Sequence, residues 1–338
     1  MKISYDELCS VFYDILIKHD VSQVRAKELA KVFADNTAEG VSSHGVNRFP
    51  RFISYIEKKY IDINAEPECI ASFGGLERWD GHLGFGPINA RICMDRACDL
   101  AKDHSIGAVA LRNTNHWMRG GTYGWQAARR GCIGICWTNT MPHMPVWGGM
   151  DQRIGNNPFV LAIPRSNGAH IVFDCSVAQY ANGKIENACL KGQKLQVPGG
   201  YDSNGQLTTD PTEIQKTGRV LPMGYWKGSG LSIVLDLIVS ILAGGKSVTD
   251  LKHTCKGEYS LCQMMIAIDP SRFSAAELAD NLISRVIDDI KGSRLVSQDN
   301  PIVYPGERVL TDRHRNLKNG IDVVDSVWAK ITALRYAQ

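Results

Sequence analysis

A histidine and an arginine lie four residues apart in the stretch Ser42–Arg51. Arg48 can hold a carboxylate through two parallel N–H bonds. His44 can give a proton to an oxygen beside that carboxylate. A surface loop with a hydrogen-bonded histidine explains the same residues equally well. The pair therefore predicts acid catalysis beside a bound carboxylate only if the rest of the chain supplies a matching site.

A second polar loop, Arg112–Gly121, carries His116 and offers several directed hydrogen-bond donors. It follows one predicted strand and precedes a predicted helix, which is where α/β sheets bind ligands. The alternative is a polar turn around a packed tryptophan. We take His116, with His44 and Arg48, as the candidate catalytic residues.

A glycine-rich stretch, Met223–Gly230, precedes a long apolar segment. Backbone N–H groups at a helix start bind anions, and Lys227 would add a positive charge. An N-cap with packing glycines is the structural alternative. A fourth stretch, Tyr304–Arg308, forms a turn that is either structural or part of a site.

The surrounding elements fall into two types. Residues 1–60 predict helices, and the last of these begins at Pro50, with Phe49 held out of the helix by the proline. From about residue 66, strands and helices alternate, which indicates an α/β layer with a mixed sheet. Residues 197–220 predict a long surface excursion. A buried helix is expected at 227–243 and a helix capped by Asp325 at the C-terminus.

These elements predict an α/β fold with a discontinuous helical domain. Residues 1–68 form its first part, and residues 69–211 form the mixed-sheet domain. Residues 212–338 are mainly helical and complete the helical domain, while a strand near 261–268 returns to the sheet. No G-x-G-x-x-G motif follows a predicted strand, so the Rossmann fingerprint is missing.

Composition excludes several classes of protein. The 338 residues carry a net charge of only +3, dispersed along the chain, so we expect no nucleic-acid partner. The apolar run Leu231–Ala243 is too short to span a bilayer, and the N-terminus lacks a signal-peptide core. Ten cysteines without a C-x-x-C motif suit free thiols in a reducing compartment, so we expect a cytoplasmic protein.

No metal site is expected, because the neighbours of His44, His116 and His143 do not give ligand spacing. Two alternatives of other classes remain open. One is a metal-dependent hydrolase that uses these three histidines, and the other is a non-catalytic protein that binds sugar acids through Arg48 and the glycine loops.

Three motifs carry a resemblance to a known family: Ser43-His44-Gly45 with Arg48, then Asn115-His116-Trp117, then Gly224–Gly230. Together they resemble the type 2 malate/L-lactate dehydrogenases, in the same order and over essentially the whole chain. The stretches SHGVNRFPRF, ALRNTNHWMRGGTYGWQAA, GICWTN and LPMGYWKGSG are most similar to a branch that reduces a sugar-derived diketo acid.

The resemblance implies a homodimeric NAD(P)-dependent oxidoreductase with a non-Rossmann nicotinamide-binding domain. His44 matches the family's proton donor, and as imidazolium it would protonate the alkoxide formed from a 2-keto acid. Malate, lactate and ureidoglycolate are alternative substrates in the family. NAD(H) is favoured over NADP(H), although no acidic residue that would read the ribose stands at a known offset.

The resemblance also implies three cofactor-binding segments: His170, Ile171, Val172, Phe173, Asp174, Cys175 and Ser176; Trp226 and Lys227; and Gly306, Glu307 and Arg308. The first segment departs from its relatives, which more often carry a D-M-x-x-S form. Asp174 is a candidate for orienting His44.

Overall fold

The computed structural model describes residues 1–273, 276–297 and 301–336. Its strands are β1 (Lys2–Ile3), β2 (Glu68–Phe73), β3 (Leu76–Asp80), β4 (Ile106–Thr114), β5 (Ile133–Thr138), β6 (Pro142–Pro145), β7 (Gln152–Gly155), β8 (Phe159–Ile163), β9 (Ile171–Cys175), β10 (Gly200–Tyr201), β11 (Leu207–Thr208), β12 (Leu261–Ile268) and β13 (Ile321–Asp322).

Helices precede, separate and follow these strands. They are α1 (Tyr5–Lys18), α2 (Gln23–Ala38), α3 (Phe49–Glu57), α4 (Gly86–His104), α5 (Gly121–Arg129), α6 (Asn182–Leu190), α7 (Pro211–Thr217), α8 (Trp226–Ala243), α9 (Val248–Thr254), α10 (Ala276–Lys291), α11 (Glu307–Asn319) and α12 (Asp325–Tyr336). Three short 3-10 turns add Ser42–His44, Val46–Arg48 and Pro270–Arg272. The sequence also predicts that Ser274, with Glu277, caps the start of α10, and Ser274 lies outside the described residues.

The central sheet has seven strands in the order β2-β3-β4-β12-β5-β8-β9. Strands β3 and β4 run parallel, whereas the other neighbouring pairs are antiparallel. The prediction of an α/β fold with a mixed sheet is confirmed. Strand β12 lies in the middle of this sheet, so the predicted return of residues 261–268 is confirmed as well.

Helices cover both faces of the sheet. Helices α4 and α5 bury one face, where Met94 and Trp125 pack on Val109 and Met265. Helix α8 covers part of the other face with Leu235, Val239 and Ala243. The sheet is therefore a rigid platform whose strand ends and connecting loops carry the polar residues of interest.

Both ends of the chain build the helical layer. Phe12, Phe33, Phe49 and Phe52 pack their rings together, with centroids 4.3 Å apart for Phe12 and Phe49. Trp328 and Ile331 of α12 join the same core, and β1 pairs with β13. This layer fixes the segment between α2 and α3, which contains His44 and Arg48.

Phe49 departs from its prediction. It is the first residue of α3 and has helical angles, φ −56° and ψ −44°. The 3-10 turn Val46–Arg48 leads directly into α3, and the buried Phe49 ring packs on Phe12. Burial of this ring outweighs the local restriction imposed by the following proline.

Helix α8 was predicted to be buried, and this was wrong for one of its faces. Val234, Leu237 and Ile241 are 50%, 51% and 69% exposed, because only the opposite face packs on the sheet. Among the described helices, this 18-residue helix is long and apolar enough to cross a membrane by length and composition alone, with 33% of it buried inside the fold. A helix that packs in a core passes the same test.

Two loop predictions were also wrong. Strand β4 continues to Thr114, because Thr114 pairs with Leu261 of the central strand. Residues 197–220 contain β10, β11 and α7, and Ile214 of α7 is buried in a small core of its own. Long-range pairing with β12 extends β4, whereas β10 and β11 form a local hairpin and Ile214 packs with distant residues such as Met144. Local composition does not reveal these long-range contacts.

Candidate active site

The segment between α2 and α3 is held by a close approach of two backbones. A Cβ on Gly45 would lie 2.3 Å from Thr37 Oγ1 and 2.9 Å from the carbonyl of Phe33, so only glycine fits. Val46 N–H donates to Thr37 Oγ1 at 2.9 Å. These contacts fix where His44 and Arg48 lie.

His44 and His116 come together, as two of the three candidate catalytic residues. Their rings stack with centroids 5.8 Å apart and planes 14° apart. Met118 N–H donates to His116 Nδ1 at 3.0 Å, so the proton of neutral His116 lies on Nε2. The Nδ1 atom of His44 pairs with Ser43 Oγ at 3.0 Å. The pairing at Nδ1 leaves Nε2 of His44 for other contacts.

Both histidines are held in the neutral form. Burial lowers the pKa of His44 to about 4; the charges of Arg48 and Arg119 act in the same direction, and Asp174 and Glu258 oppose them. Burial also lowers the pKa of His116 well below its usual value. The expected imidazolium of His44 therefore requires an additional negative charge beside the ring.

Arg48 is paired with a carboxylate that the sequence did not indicate. Its guanidinium forms an ion pair with Glu258, and Arg51 lies 3.7 Å from the same carboxylate. Burial raises the pKa of Glu258, but the positive charges of Arg48 and Arg51 outweigh burial and hold that pKa below its usual value. Glu258 is therefore ionised. The only feature of the local sequence that could have indicated Glu258 is its position, as an acidic residue three positions before the apolar strand β12.

The other donors of the Arg112–Gly121 stretch serve the fold. Arg112 and Asn113 both donate to Asp80 at 2.9 Å. Asn115 donates to two backbone carbonyls of the preceding turn. His116 is the member of this stretch whose ring faces His44. His116 therefore lies next to His44, whereas Arg112, Asn113 and Asn115 form hydrogen bonds within the fold.

Asp174, near the end of β9, is close enough to His44 to affect its pKa. Its Oδ2 accepts from Gly121 N–H at 2.9 Å and lies 3.6 Å from Arg119 Nε. Its charge raises the pKa of His44. In the described structure the Nδ1 atom of His44 pairs with Ser43, so Asp174 acts on His44 through its charge.

The first predicted cofactor segment runs along β9 and adjoins the third. Val172 N–H donates to the carbonyl of Pro305 at 2.9 Å, and a Cβ on Gly306 would lie 3.1 Å from Val172 N. The side chains of His170 and Val172 are buried. Phe173 is 41% exposed, and the side chain of Asp174 is partly exposed.

The second predicted cofactor segment lies beyond the other end of β9. Met223 N–H donates to the carbonyl of Val177 at 2.8 Å, which places the start of α8 beside the continuation of β9. Trp226 is 64% exposed, and Lys227 is exposed beside it. The second and third predicted segments therefore lie beside the two ends of the first, which forms β9.

These residues fit a nicotinamide dinucleotide. Helices α8 and α11 start beside β9, and within the described residues neither start has a side-chain cap hydrogen bond. Such starts suit phosphate groups, and exposed Lys227 and Arg308 add positive charge. Exposed rings of Phe173 and Trp226 offer flat apolar surface. In the part of the chain that the structure describes, no group of three or more His, Cys, Asp or Glu side chains could hold a metal ion.

Comparison with known proteins identifies relatives along the full chain. The profile of the family described as malate/L-lactate dehydrogenase matches residues 3–332. The 2,3-diketo-L-gulonate reductases of Salmonella paratyphi C (strain RKS4594) and Escherichia coli (strain K12 / DH10B) are each 45% identical over 334 residues, covering 99% of this chain and 100% of the relative.

Solved structures agree with this result. Sulfolactate dehydrogenase from Methanocaldococcus jannaschii superimposes with a TM-score of 0.90 at 29% identity, covering 99% of this chain and 96% of that chain. Malate dehydrogenase from Pyrococcus horikoshii OT3 also gives 0.90, at 28% identity, covering 99% and 95%. These relatives are oxidoreductases of keto and hydroxy acids, and such dehydrogenases use a nicotinamide cofactor. The chain belongs to the malate/L-lactate dehydrogenase family and is an oxidoreductase that acts on keto or hydroxy acids.

Proposed function

We propose that the chain reduces a 2-keto sugar acid with NADH, converting 2,3-diketo-L-gulonate to 3-keto-L-gulonate. The observation that carries the proposal is the stacked His44–His116 pair beside Arg48, in a chain 45% identical to 2,3-diketo-L-gulonate reductases. Relatives whose names specify malate or sulfolactate make another 2-keto acid the second candidate.

The proposed cofactor would be held by the exposed residues around β9, by Trp226 and Lys227, and by the start of α11. A reduced nicotinamide, when bound, supplies a hydride to the keto carbon. We propose NAD(H) over NADP(H) from the resemblance of these segments, and the assay below compares the two directly. Homodimer formation is part of the same proposal, and ten free cysteines suit the cytoplasm.

The residues of this chain have distinct tasks in the proposed reaction. Arg48 holds the substrate carboxylate with N–H donors that Glu258 does not use. The bound carboxylate offsets the charge of Arg48, which raises the pKa of His44 toward its usual value. His44 then gives a proton from Nε2 to the oxygen of the keto group as that oxygen becomes negative. Such general acid catalysis contributes about 10²–10⁴-fold.

The contacts of the two histidines support this division of tasks. His116 stacks on His44, and its Nδ1 is occupied by Met118 N–H, so the His116 ring is fixed in one orientation. A fixed ring beside His44 restricts the direction in which His44 can present Nε2. Because the bound carboxylate raises the pKa of His44, binding of the carboxylate precedes proton transfer.

The test is a panel of 2-keto acids with NADH and with NADPH, followed through the absorbance of the reduced cofactor. We expect turnover with 2,3-diketo-L-gulonate to exceed that with pyruvate and oxaloacetate, and NADH to be preferred. A metal-dependent hydrolase would show no oxidation of either cofactor and would contain stoichiometric metal. A non-catalytic binding protein would bind the acids without turnover.

A further inference from the structure

Arg119 is a buried arginine near His44, and the proposed mechanism gives it no task. Its side chain is 5% exposed and forms an ion pair with Glu39, whose side chain is 12% exposed at the end of α2. A second carboxylate, Asp174, lies farther away, with its Oδ2 3.6 Å from Arg119 Nε. Asp174 Oδ2 instead accepts a hydrogen bond from Gly121 N–H. Arg119 therefore lies between two carboxylates and pairs more closely with the one in the helical layer.

Glu39 is part of a row of alternating charges that ends at exposed Lys31. Its Oε1 lies 3.3 Å from Arg313 Nη1 of α11. The same Arg313 atom lies 2.8 Å from Asp35 Oδ1, and Asp35 also pairs with Lys31. Arg313 therefore has Asp35 as its nearer partner. The charge of Glu39 is left to balance that of Arg119.

Hydrogen bonds hold His44 close to this row of charges. Asn36 is buried at the end of α2, and its Nδ2 donates to the carbonyl of His44 at 2.9 Å. Its Oδ1 accepts from Thr122 Oγ1 of α5 at 3.3 Å. One side chain of α2 thus contacts both the backbone of His44 and the first turn of α5, which follows Arg119. The charge of Arg119 cannot move away from His44 without breaking these contacts.

Several elements contribute the charged and titratable groups around the stacked histidines. Burial lowers the pKa values of His116 and His143, so both rings are neutral. On α6, which approaches Ser43, Lys184 lies over the Tyr180 ring. The remaining groups are three arginines and two carboxylates: Arg48, Arg51, Arg119, Asp174 and Glu258.

Glu39 completes the balance of these charges. Without it, the three arginines and two carboxylates carry one excess positive charge in a buried site. The ion pair of Arg119 with Glu39 removes that excess. A substrate carboxylate bound in the site is then balanced by protonation of His44. If Glu39 were neutral, the charge of Arg119 would balance the substrate carboxylate instead, and His44 would hold its proton less tightly.

We propose that Glu39 is a positioning residue for the proton donor. By binding Arg119, it holds the guanidinium away from Asp174 and cancels its charge, so that protonated His44 is the cation that balances the bound substrate. The inference rests on the proposed function and deepens it, because it names the residue that makes His44 an acid through another side chain.

The test follows a single turnover as a function of pH: protein loaded with one equivalent of NADH is mixed with saturating 2,3-diketo-L-gulonate. His44 must be protonated to act, so the rate of NADH oxidation falls as the pH rises through the pKa of His44. Glu39→Gln lowers that pKa, and the fall should move to lower pH by about one pH unit. Arg119→Gln raises it, and the fall should move to higher pH by about one pH unit.

Opposite shifts separate this role from a structural one, because both variants lose the same buried ion pair. Arg119→Lys retains the positive charge and should keep the wild-type profile. Glu77→Gln is the matched control, since Glu77 is a buried carboxylate paired with Arg96 outside the site. It should also keep the wild-type profile. Each charge-removing variant has its own predicted sign, so one of them suffices if the other does not fold.

Two results would overturn the inference while leaving the proposed function intact. One is an unchanged pH profile in Glu39→Gln or in Arg119→Gln, and the other is a shift of both profiles in the same direction. Failure of the wild type to oxidise NADH or NADPH with 2,3-diketo-L-gulonate or any other 2-keto acid would instead remove the proposed function, and the inference with it.

Discussion

His44 is neutral in the substrate-free protein because it is buried and lies near the positive charges of Arg48 and Arg119. Burial and Arg48 lower its pKa to about 4, and Asp174 and Glu258 only partly compensate. The substrate carboxylate proposed to bind at Arg48 adds the missing negative charge. Binding and protonation are therefore coupled, since each favours the other. His44 is therefore available as a protonated acid only when a substrate carboxylate is bound at Arg48.

This coupling predicts different pH profiles for kcat/KM and kcat. The proton donor must be protonated, so the rate of reduction should fall as the pH rises through the pKa of His44. In kcat/KM for the keto acid the fall should report the protein before the keto acid binds, in which burial holds the pKa of His44 at about 4. In kcat it should occur at higher pH, because the bound carboxylate raises the pKa of His44. Steady-state rates at saturating cofactor give both profiles; coincident profiles would contradict the coupling.

At the scale of elements, β9 links the regions proposed to bind the cofactor. Gly306 has φ +96°, in the left-handed region that favours glycine, and lies against the β9 backbone. The start of α11 can therefore approach β9 closely. The start of α8 is tied to the continuation of β9 through Met223 and Val177. Displacing either helix start should weaken cofactor binding before it alters proton transfer.

Gly306→Ala tests this arrangement, with Gly131→Ala as its control. Both glycines have positive φ, but a Cβ at Gly131 meets nothing within 4 Å, whereas one at Gly306 meets Val172 N at 3.1 Å. Each alanine should cost about 1 kcal/mol or more in free energy of unfolding from backbone strain. Only Gly306→Ala should also weaken NADH binding, measured by fluorescence titration. Equal NADH affinity in the two variants would argue against a cofactor role for this segment.

The sequence predicted the local parts of the site and missed the distant ones. His44 and Arg48 share one connection between helices, and His116 follows a strand. The local sequence pattern was therefore enough to single out these three residues. Glu258 stands 210 residues from Arg48, and only the pairing of β12 with β4 brings its loop to the site. The exposed face of α8 was missed because its polar residues Ser232, Asp236 and Ser240 recur every four residues on the side that faces the fold. Ser232 donates to the carbonyl of Gly155 and Asp236 accepts from Asn139, so the polar side is inward and the apolar side is exposed.

At the scale of the whole molecule, two helices present apolar stripes to solvent. Val234, Leu237 and Ile241 lie along α8, and Leu278 and Leu282 lie along α10. Their spacing of three or four residues places each set on one side of its helix. Exposed apolar stripes of this kind mark association surfaces. They support the proposed homodimer, in which one patch meets the same patch of a second copy.

Leu237→Glu should weaken the proposed dimer, because it places a charge in the centre of the α8 stripe. Val24→Glu is the control, since Val24 is 79% exposed on α2, outside both stripes. Sedimentation equilibrium should give twice the chain mass for wild type and for Val24→Glu. Leu237→Glu should shift the mass toward that of one chain. A wild-type protein that sediments as a single chain would contradict the homodimer.

The most direct test of the account concerns His44 itself. His44→Gln keeps a polar side chain of similar size and removes the proton donor, and His19→Gln provides a histidine control in the helical layer, hydrogen-bonded to the carbonyl of Ile15. We expect His44→Gln to lower kcat for 2,3-diketo-L-gulonate by about 10²–10⁴-fold, with NADH affinity nearly unchanged. His19→Gln should match wild type in both. Wild-type turnover by His44→Gln would contradict the central claim that His44 protonates the substrate.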